Sequence, residues 1–184
     1  MKLNYNYKDE YKLKVGGGFR GLATNCLPED VSEDVITRTM DLFAEIYDKN
    51  FLNKTVPYGG IDELLDKLNS KGILLAVNSN KKDEYTKLLI DKFFSRIPFV
   101  NIYGEREGFP KKPEPHAAME ILSEMRLSKD EVLFIGDSRT DIVTANNVGM
   151  DSVGVLWGFR GREELMKHGA TYIVEKPVEI LRFV

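Results

Sequence analysis

The chain has 184 residues, 42% hydrophobic and 30% charged, which suits one globular domain or one domain with a small insertion. A net charge of −3 and a pI near 5.6 exclude the basic footprint of a nucleic-acid binder. The single Cys26 excludes an internal disulfide, no apolar run reaches membrane-spanning length, and the polar start carries no signal peptide, so a cytoplasmic protein is expected.

Residues 1–14 are polar and aromatic with little helical pattern. Gly16, Gly17 and Gly18 interrupt the chain before a short helix through Phe19, Leu22 and Ala23, which Pro28 breaks. Asp30 or Ser32 then caps a longer helix carrying Val35, Ile36, Met40, Phe43 and Ile46. Pro57, Gly59 and Gly60 mark a turn between a helical segment, 1–56, and the remainder, 57–184. Beyond that turn, helix and strand alternate. Ile61, Leu64, Leu65 and Leu68 define a helix, and Ile73 to Val77 a strand. A helix follows with Tyr85, Leu88, Leu89 and Phe93, then a strand from Phe99 to Tyr103. Ala118, Ile121, Leu122 and Met125 define a helix over 116–126, and Val132 to Ile135 a strand. A helix with Ile142 and Ala145 ends at Gly149, and Val153 to Leu156 and Tyr172 to Val174 are further strands. Such alternation with short links predicts an α/β fold, a Rossmann-like parallel sheet covered by helices on both faces.

Three motifs carry chemistry. The first is V-L-F-I-G-D-S-R-T-D, residues 132–141. An apolar strand that ends in Gly136 and then presents Asp137 and Asp141 builds a site at the carboxyl end of a parallel sheet, where such sheets bind ligands. Two acids on one turn suit a hard cation such as Mg²⁺, which takes oxygen ligands and keeps waters or phosphate oxygens. The same residues also read as a helix start, with Ser138 as N-cap and Asp141 favoured by the helix dipole. The second is L-L-A-V-N-S-N-K, residues 74–81. Ser79 and Asn80 open a helix after a strand, and a hydroxyl beside free N–H groups makes a phosphate site. The alternative is a plain cap, with Asp83 or Glu84 completing a capping box. The third is K-K-P-E-P, residues 111–115, where Pro113 and Pro115 stiffen a loop that can aim a lysine into a cleft. Otherwise both lysines are solvated and Pro115 begins the next helix.

In this order and spacing the motifs resemble the haloacid dehalogenase superfamily, in its phosphatase branch, and most closely its phosphoglycolate phosphatase family. The resemblance extends through V-G-G-G-F-R-G-L near residue 15, P-Y-G-G-I-D-E-L-L at 57, G-E-R-E-G-F-P-K-K-P-E-P at 104 and V-L-W-G-F-R-G-R-E-E-L at 155. It implies hydrolysis of a small phosphorylated metabolite with Mg²⁺. Asp137 is then a metal ligand, and Asp141 a direct or water-mediated one. Ser79 and the Asn80 N–H hold the phosphoryl group. Lys112, which directly precedes proline, neutralises nucleophile and phosphate, while Lys111 is a solvated neighbour. Arg20 becomes a substrate contact from a partial helical cap, and Trp157 and Phe159 are packing residues.

The chain departs from the family at one point. The family's nucleophile lies in D-x-D-G-T or D-x-D-G-S on a first strand, and these residues contain no such motif. Asp9, Asp30 and Asp34 follow no apolar strand. The sequence is therefore expected to begin inside the family pattern, lacking a strand, a loop and one cap helix. That strand belongs centrally, between the strands ending at Ser79 and Gly136, and its loss exposes two edges. The chain as written is expected to be inactive. The competing expectations are a nucleophile-less remnant that binds phosphate or a partner, and a related phosphomutase or pyrophosphatase. A true dehalogenase is disfavoured, since it lacks the paired carboxylates.

Overall fold

The structure, a computed structural model, describes residues 11–184. Asp9 and most of the polar start lie outside the described residues. The chain divides into two units, Met1–Phe51 and Leu52–Val184.

The first unit is helical, with α1 (Tyr11–Lys14), α2 (Gly18–Cys26) and α3 (Glu33–Asn50). Of the two cap candidates, Ser32 takes the N-cap of α3, and Glu33 and Asp34 place negative charge in its first turn, where the dipole favours it. An aromatic contact joins α2 to α3: the Phe19 ring meets Phe43 edge-on at 4.8 Å and Tyr47 at 5.5 Å. Phe43 and Tyr47, four residues apart on α3, stack at 5.4 Å. Val35 and Ile46, expected on the inward stripe, are exposed, because the contact with α2 is centred on Phe43 and Tyr47.

The second unit alternates helix and strand. Its elements are α4 (Ile61–Ser70), β1 (Leu75–Lys82), α5 (Asp83–Phe94), β2 (Phe99–Glu105), α6 (His116–Met125), β3 (Leu133–Gly136), α7 (Arg139–Val148), β4 (Asp151–Val155), α8 (Arg162–Lys167) and β5 (Tyr172–Val174). A 3-10 segment, Pro177–Phe183, closes the chain. All strand pairs are parallel, as the short helical crossovers require. Among the described residues they form two sheets, β1-β2 and β3-β4-β5.

Burial on both faces explains the apolar strand runs. Leu133, Val153, Val155 and Val174 turn toward Leu64 and Leu68 of α4 and Ile180 of the closing segment. Phe134 turns the other way, packing with Ala118 of α6 and Ala145 of α7. Ile173 joins Ile142 of α7 and Leu165 of α8 on that second face. Helix α7 stops at Gly149, whose φ of 81° places it in the left-handed region expected of a C-terminal glycine.

Helix α1 forms where little helical pattern was expected, α8 and the closing 3-10 segment were not marked by the sequence pattern, and the end of β1 differs most. The strand expected to end at Val77 continues to Lys82, and Ser79 and Asn80 lie within it rather than at a helix N-terminus. Pairing with β2 causes this. Asn78 pairs with Tyr103 and Lys82 with Glu105, so Ser79, Asn80 and Lys81 bulge opposite Gly104. Helix α5 starts only at Asp83, without a side-chain cap. The Asp83 carboxylate instead accepts the Gly104 N–H at 2.9 Å. Gly104 is needed there: a Cβ on it would fall 2.4 Å from the Asp83 Cα.

Leu165 is fully buried and Leu88 is 53% exposed, so the two leucines separate packing from composition. Leu165→Ala should lower unfolding stability by about 2–5 kcal/mol. Leu88→Ala should change it by less than about 0.5 kcal/mol. Urea melts of the two variants measure this.

Candidate active site

The site lies where the carboxyl ends of β1 and β3 come together. Strand β3 ends in Gly136, and the chain turns at Asp137 into Ser138, the N-cap of α7. Gly136 has no room for a side chain, since a Cβ there would lie 2.1 Å from the Asp141 Cβ. Ser138 and Asp141 form a reciprocal capping box. The Ser138 N–H and Oγ donate to Asp141 Oδ2 at 3.1 and 2.6 Å, and the Asp141 N–H donates back to Ser138 Oγ at 3.4 Å. The cap reading of this motif is thus realised, and a second interaction is built on it.

That interaction is Lys112. Its Nζ donates to Asp141 Oδ1 at 2.7 Å and to the Asn78 carbonyl of β1 at 2.6 Å. Both charged side chains are about nine-tenths buried, 10% and 9% exposed. The ammonium also sits 5.9 Å from the centre of the Phe134 ring, within cation–π reach. An exposed lysine would not hold one rotamer in this way. Here the loop is fixed at both backbone groups: Asn80 Nδ2 donates to the Lys112 carbonyl at 2.8 Å, and the Lys112 N–H donates to Asn80 Oδ1 at 2.9 Å. The next carbonyl, of Pro113, accepts from Asn147 Nδ2 of α7 at 2.9 Å. The Lys112–Pro113 peptide is cis.

Asp137 is held separately. Its Oδ2 accepts the Phe159 N–H at 2.8 Å from the loop after β4. Gly158 permits that approach, because a Cβ on it would come within 2.2 Å of the carboxylate. Burial, and secondarily the negative charge of Asp137, raise the Tyr58 hydroxyl above its ordinary pKa.

The structure therefore brings Lys112, Asp141, Asn80 and Asn78 into one bonded cluster. Ser79 sits in the bulge between Asn78 and Asn80, and its Oγ accepts the Lys81 N–H at 3.1 Å. Asp137 lies one residue beyond β3. Lys111, expected to be solvated, instead pairs with Glu105 at the end of β2 at 3.0 Å, because the fixed loop carries it back over that strand. Arg20 lies in the first unit, where its Nη2 donates to Glu33 Oε2 at 2.8 Å. Hydrogen bonding to that carboxylate raises the Arg20 pKa and lowers that of Glu33. Trp157 packs against the core of the second unit, while Phe159 stays 37% exposed and contributes its backbone N–H.

The sequence matches the haloacid dehalogenase-like hydrolase family over residues 3–155. The chain belongs to that family. It is 26% identical over 159 residues to a phosphoglycolate phosphatase of Vibrio parahaemolyticus, covering 86% of this chain and 69% of that protein. It is 30% identical over 164 residues to a phosphoglycolate phosphatase of Aquifex aeolicus, covering 86% of this chain and 73% of the relative. Among solved structures, a Lactobacillus delbrueckii subsp. bulgaricus protein provisionally assigned as a phosphoglycolate phosphatase superposes with a TM-score of 0.88 at 31% identity. That match spans 96% of this chain and 82% of the other.

Within this family member, sequence reasoning missed Asn78, Asn147 and the Gly158–Phe159 backbone. Their contributions are a carbonyl, an amide bond to another carbonyl and an N–H, and none of these leaves a local composition signal. Asn80 was singled out for its own N–H, yet its side chain is what positions Lys112.

Asn80→Ala removes both clamp bonds and leaves two part-buried backbone groups of Lys112 without their partners. We expect a loss of about 1–3 kcal/mol in unfolding stability. Hydrogen exchange should show faster exchange at the Lys112 amide, and Asn80→Asp, which keeps the acceptor, should retain most of that amide's protection.

Proposed function

We propose that the second unit binds the phosphoryl group and metal of a small phosphorylated metabolite, as a phosphomonoester hydrolase resembling phosphoglycolate phosphatases. The observation that carries this is the buried Lys112 ammonium. It is fixed by Asn80 and joins the Asn78 carbonyl of β1 to Asp141, which lies four residues after Asp137. A buried lysine held by one carboxylate and one carbonyl supplies a positive charge that a phosphoryl oxygen can share.

The donor set fits an oxygen-seeking divalent cation such as Mg²⁺ in a particular way. Both Asp141 oxygens are engaged by Lys112 and Ser138, which suits a water-mediated role. Asp137 uses Oδ2 for the Phe159 N–H and keeps its second oxygen for a metal. When bound, the cation supplies charge stabilisation to the phosphoryl oxygens. Lys112 offsets charge on the same group. Ser79 and the Asn80 N–H, on the bulge, orient it. Gly158 and Phe159 keep the Asp137 carboxylate in place.

The residues of this chain hold no D-x-D-G-T or D-x-D-G-S motif, and that favours binding without turnover for the chain by itself. The leading substrate for the complete site is 2-phosphoglycolate, suggested by the cap wording around V-G-G-G-F-R and by the names of the relatives. A cytoplasmic location suits such a metabolite. Among the described residues no helix is long and apolar enough to cross a membrane.

Assayed alone with Mg²⁺ and a generic aryl phosphate, the chain should turn over far below ordinary enzyme rates, which are on the order of 1 s⁻¹ or more. Rates in that ordinary range would show that one of its own aspartates serves as nucleophile.

Isothermal titration with inorganic phosphate should show binding strengthened by Mg²⁺. Lys112→Ala should weaken binding about tenfold or more, the value of one charge-assisted hydrogen bond. Asp137→Asn should remove the Mg²⁺ enhancement and leave the metal-free binding little changed. Equal Mg²⁺ enhancement in Asp137→Asn and the parent would end the metal assignment. Arg20→Ala should leave phosphate binding unchanged and alter only selectivity among larger phosphomonoesters.

A further inference from the structure

Helix α7 holds the loop between β2 and α6 at two places. Asp141 in its first turn accepts from the Lys112 ammonium at 2.7 Å, and Asn147 in its last turn donates through Nδ2 to the Pro113 carbonyl at 2.9 Å. The two side chains stand six residues apart, about 9 Å along a stiff helix. Lys112 and Pro113 are neighbours in the chain, so the contacts close a ring. It runs from the Lys112 ammonium through Asp141, along α7 to Asn147, and back through the Pro113 carbonyl to the Lys112 backbone. Strand β1 grips the same residue from its own side, through the Asn80 side chain at the Lys112 backbone and the Asn78 carbonyl at the ammonium.

The adjacent Asn146 shows what is particular about Asn147. Its Nδ2 donates to the His168 carbonyl, at the end of α8, at 2.8 Å. Both asparagines are exposed, both sit in the last turn of α7, and both reach a carbonyl far away in sequence, 22 residues on for Asn146 and 34 back for Asn147. The chemistry of the two bonds is the same, and only their destinations differ. The carbonyl held by Asn146 ends a helix, whereas the one held by Asn147 directly follows the buried lysine. A lysine ammonium has three donors. Two are given to Asp141 Oδ1 and the Asn78 carbonyl, and a phosphoryl oxygen can take the third. A four-carbon stem is too flexible to aim that third donor by itself. Its direction comes from the anchored ends, one at the ammonium and one at the backbone.

We infer that Asn147 is a positioning residue for the phosphate site. By tying the Pro113 carbonyl to α7, it fixes the Lys112 backbone against the helix that also carries Asp141, so that the ammonium meets a phosphoryl oxygen already ordered. The inference rests on the phosphoryl-binding reading of Lys112, and Asn147 acts only through that lysine. Without the bond the Pro113 carbonyl turns to water, which an exposed residue can do at little cost in stability. The loop must then be ordered when the ligand binds, and that lowers affinity.

Isothermal titration of inorganic phosphate into the full chain, without Mg²⁺, tests this. Asn147→Ala should weaken binding about three- to tenfold, the range set by one hydrogen bond. Asn146→Ala should shift it by less than about twofold, although both variants lose one exposed bond of the same kind and should have similar urea midpoints. A double-mutant cycle adds a readout that a purely structural role would not move. In a Lys112→Ala background, Asn147→Ala should weaken binding by less than about twofold, because the residue it positions is gone. Phosphate binding that is the same in the parent and in Asn147→Ala would overturn the inference and leave the reading of Lys112 standing. So would an equal loss in Asn146→Ala, or the same loss with and without Lys112. No phosphate binding by the parent would overturn that reading and the inference with it. Should the Lys112→Ala background not fold, the comparison of the two asparagines decides alone. Should Asn147→Ala not fold, Asn147→Ser, whose hydroxyl falls short of the Pro113 carbonyl, takes its place.

Discussion

The Lys112 ammonium is the tie between two sheets that share no backbone hydrogen bond among the described residues. It spans from the Asn78 carbonyl on β1 to the Asp141 carboxylate at the head of α7, and both ends are buried. A buried ion pair is weak evidence for stability, because desolvation offsets much of the attraction, but removing one partner strands the other at a cost of about 3–5 kcal/mol. The pair therefore specifies an arrangement. It fixes where the β3–α7 turn, with Asp137 and Asp141, stands relative to the β1 bulge, with Ser79 and Asn80, and Lys112 itself comes from the loop between β2 and α6.

This geometry depends on several close approaches that only glycine permits. Gly136 lets Asp141 fold back over the end of β3, Gly158 lets the following loop reach Asp137, and Gly104 lets Asp83 cap the β2 backbone. Each brings a backbone group or a carboxylate within bonding distance of a partner far away in sequence. The Asn80 clamp works similarly, since its amide matches both backbone groups of Lys112, thirty-two residues away. The charged pair thus rests on neutral hydrogen bonds that hold the loop.

The divided sheet has a different origin. The apolar runs that build β1 and β3 suit strands buried on both faces with neighbours on both edges. The helices supply the faces. The described residues supply one edge neighbour each, and a cavity lined by aliphatic, aromatic and charged residues lies between the others. Membership in the haloacid dehalogenase-like hydrolases and the 0.88 superposition show that the surrounding framework is that of the family.

Most elements were legible in the sequence, because helix and strand periodicity and glycine or proline punctuation are local properties. The apolar positions of α6 and the span of β5 were visible as pattern alone, and the Gly149 stop of α7 needed only a left-handed residue. Lys112 and Asp141 were legible as candidates, through a proline that follows one and a strand that precedes the other. The extension of β1 through Lys82 was not, because its cause is the pairing of Lys82 with Glu105 across the sheet. Lys111 read as solvated, since nothing near it in sequence announces Glu105. The residue types and their order along the chain were thus set by sequence alone. Which lysine is buried, which asparagine holds it and which carboxylate oxygen takes the Phe159 N–H were decided only by tertiary structure, because these depend on partners between 22 and 34 residues away.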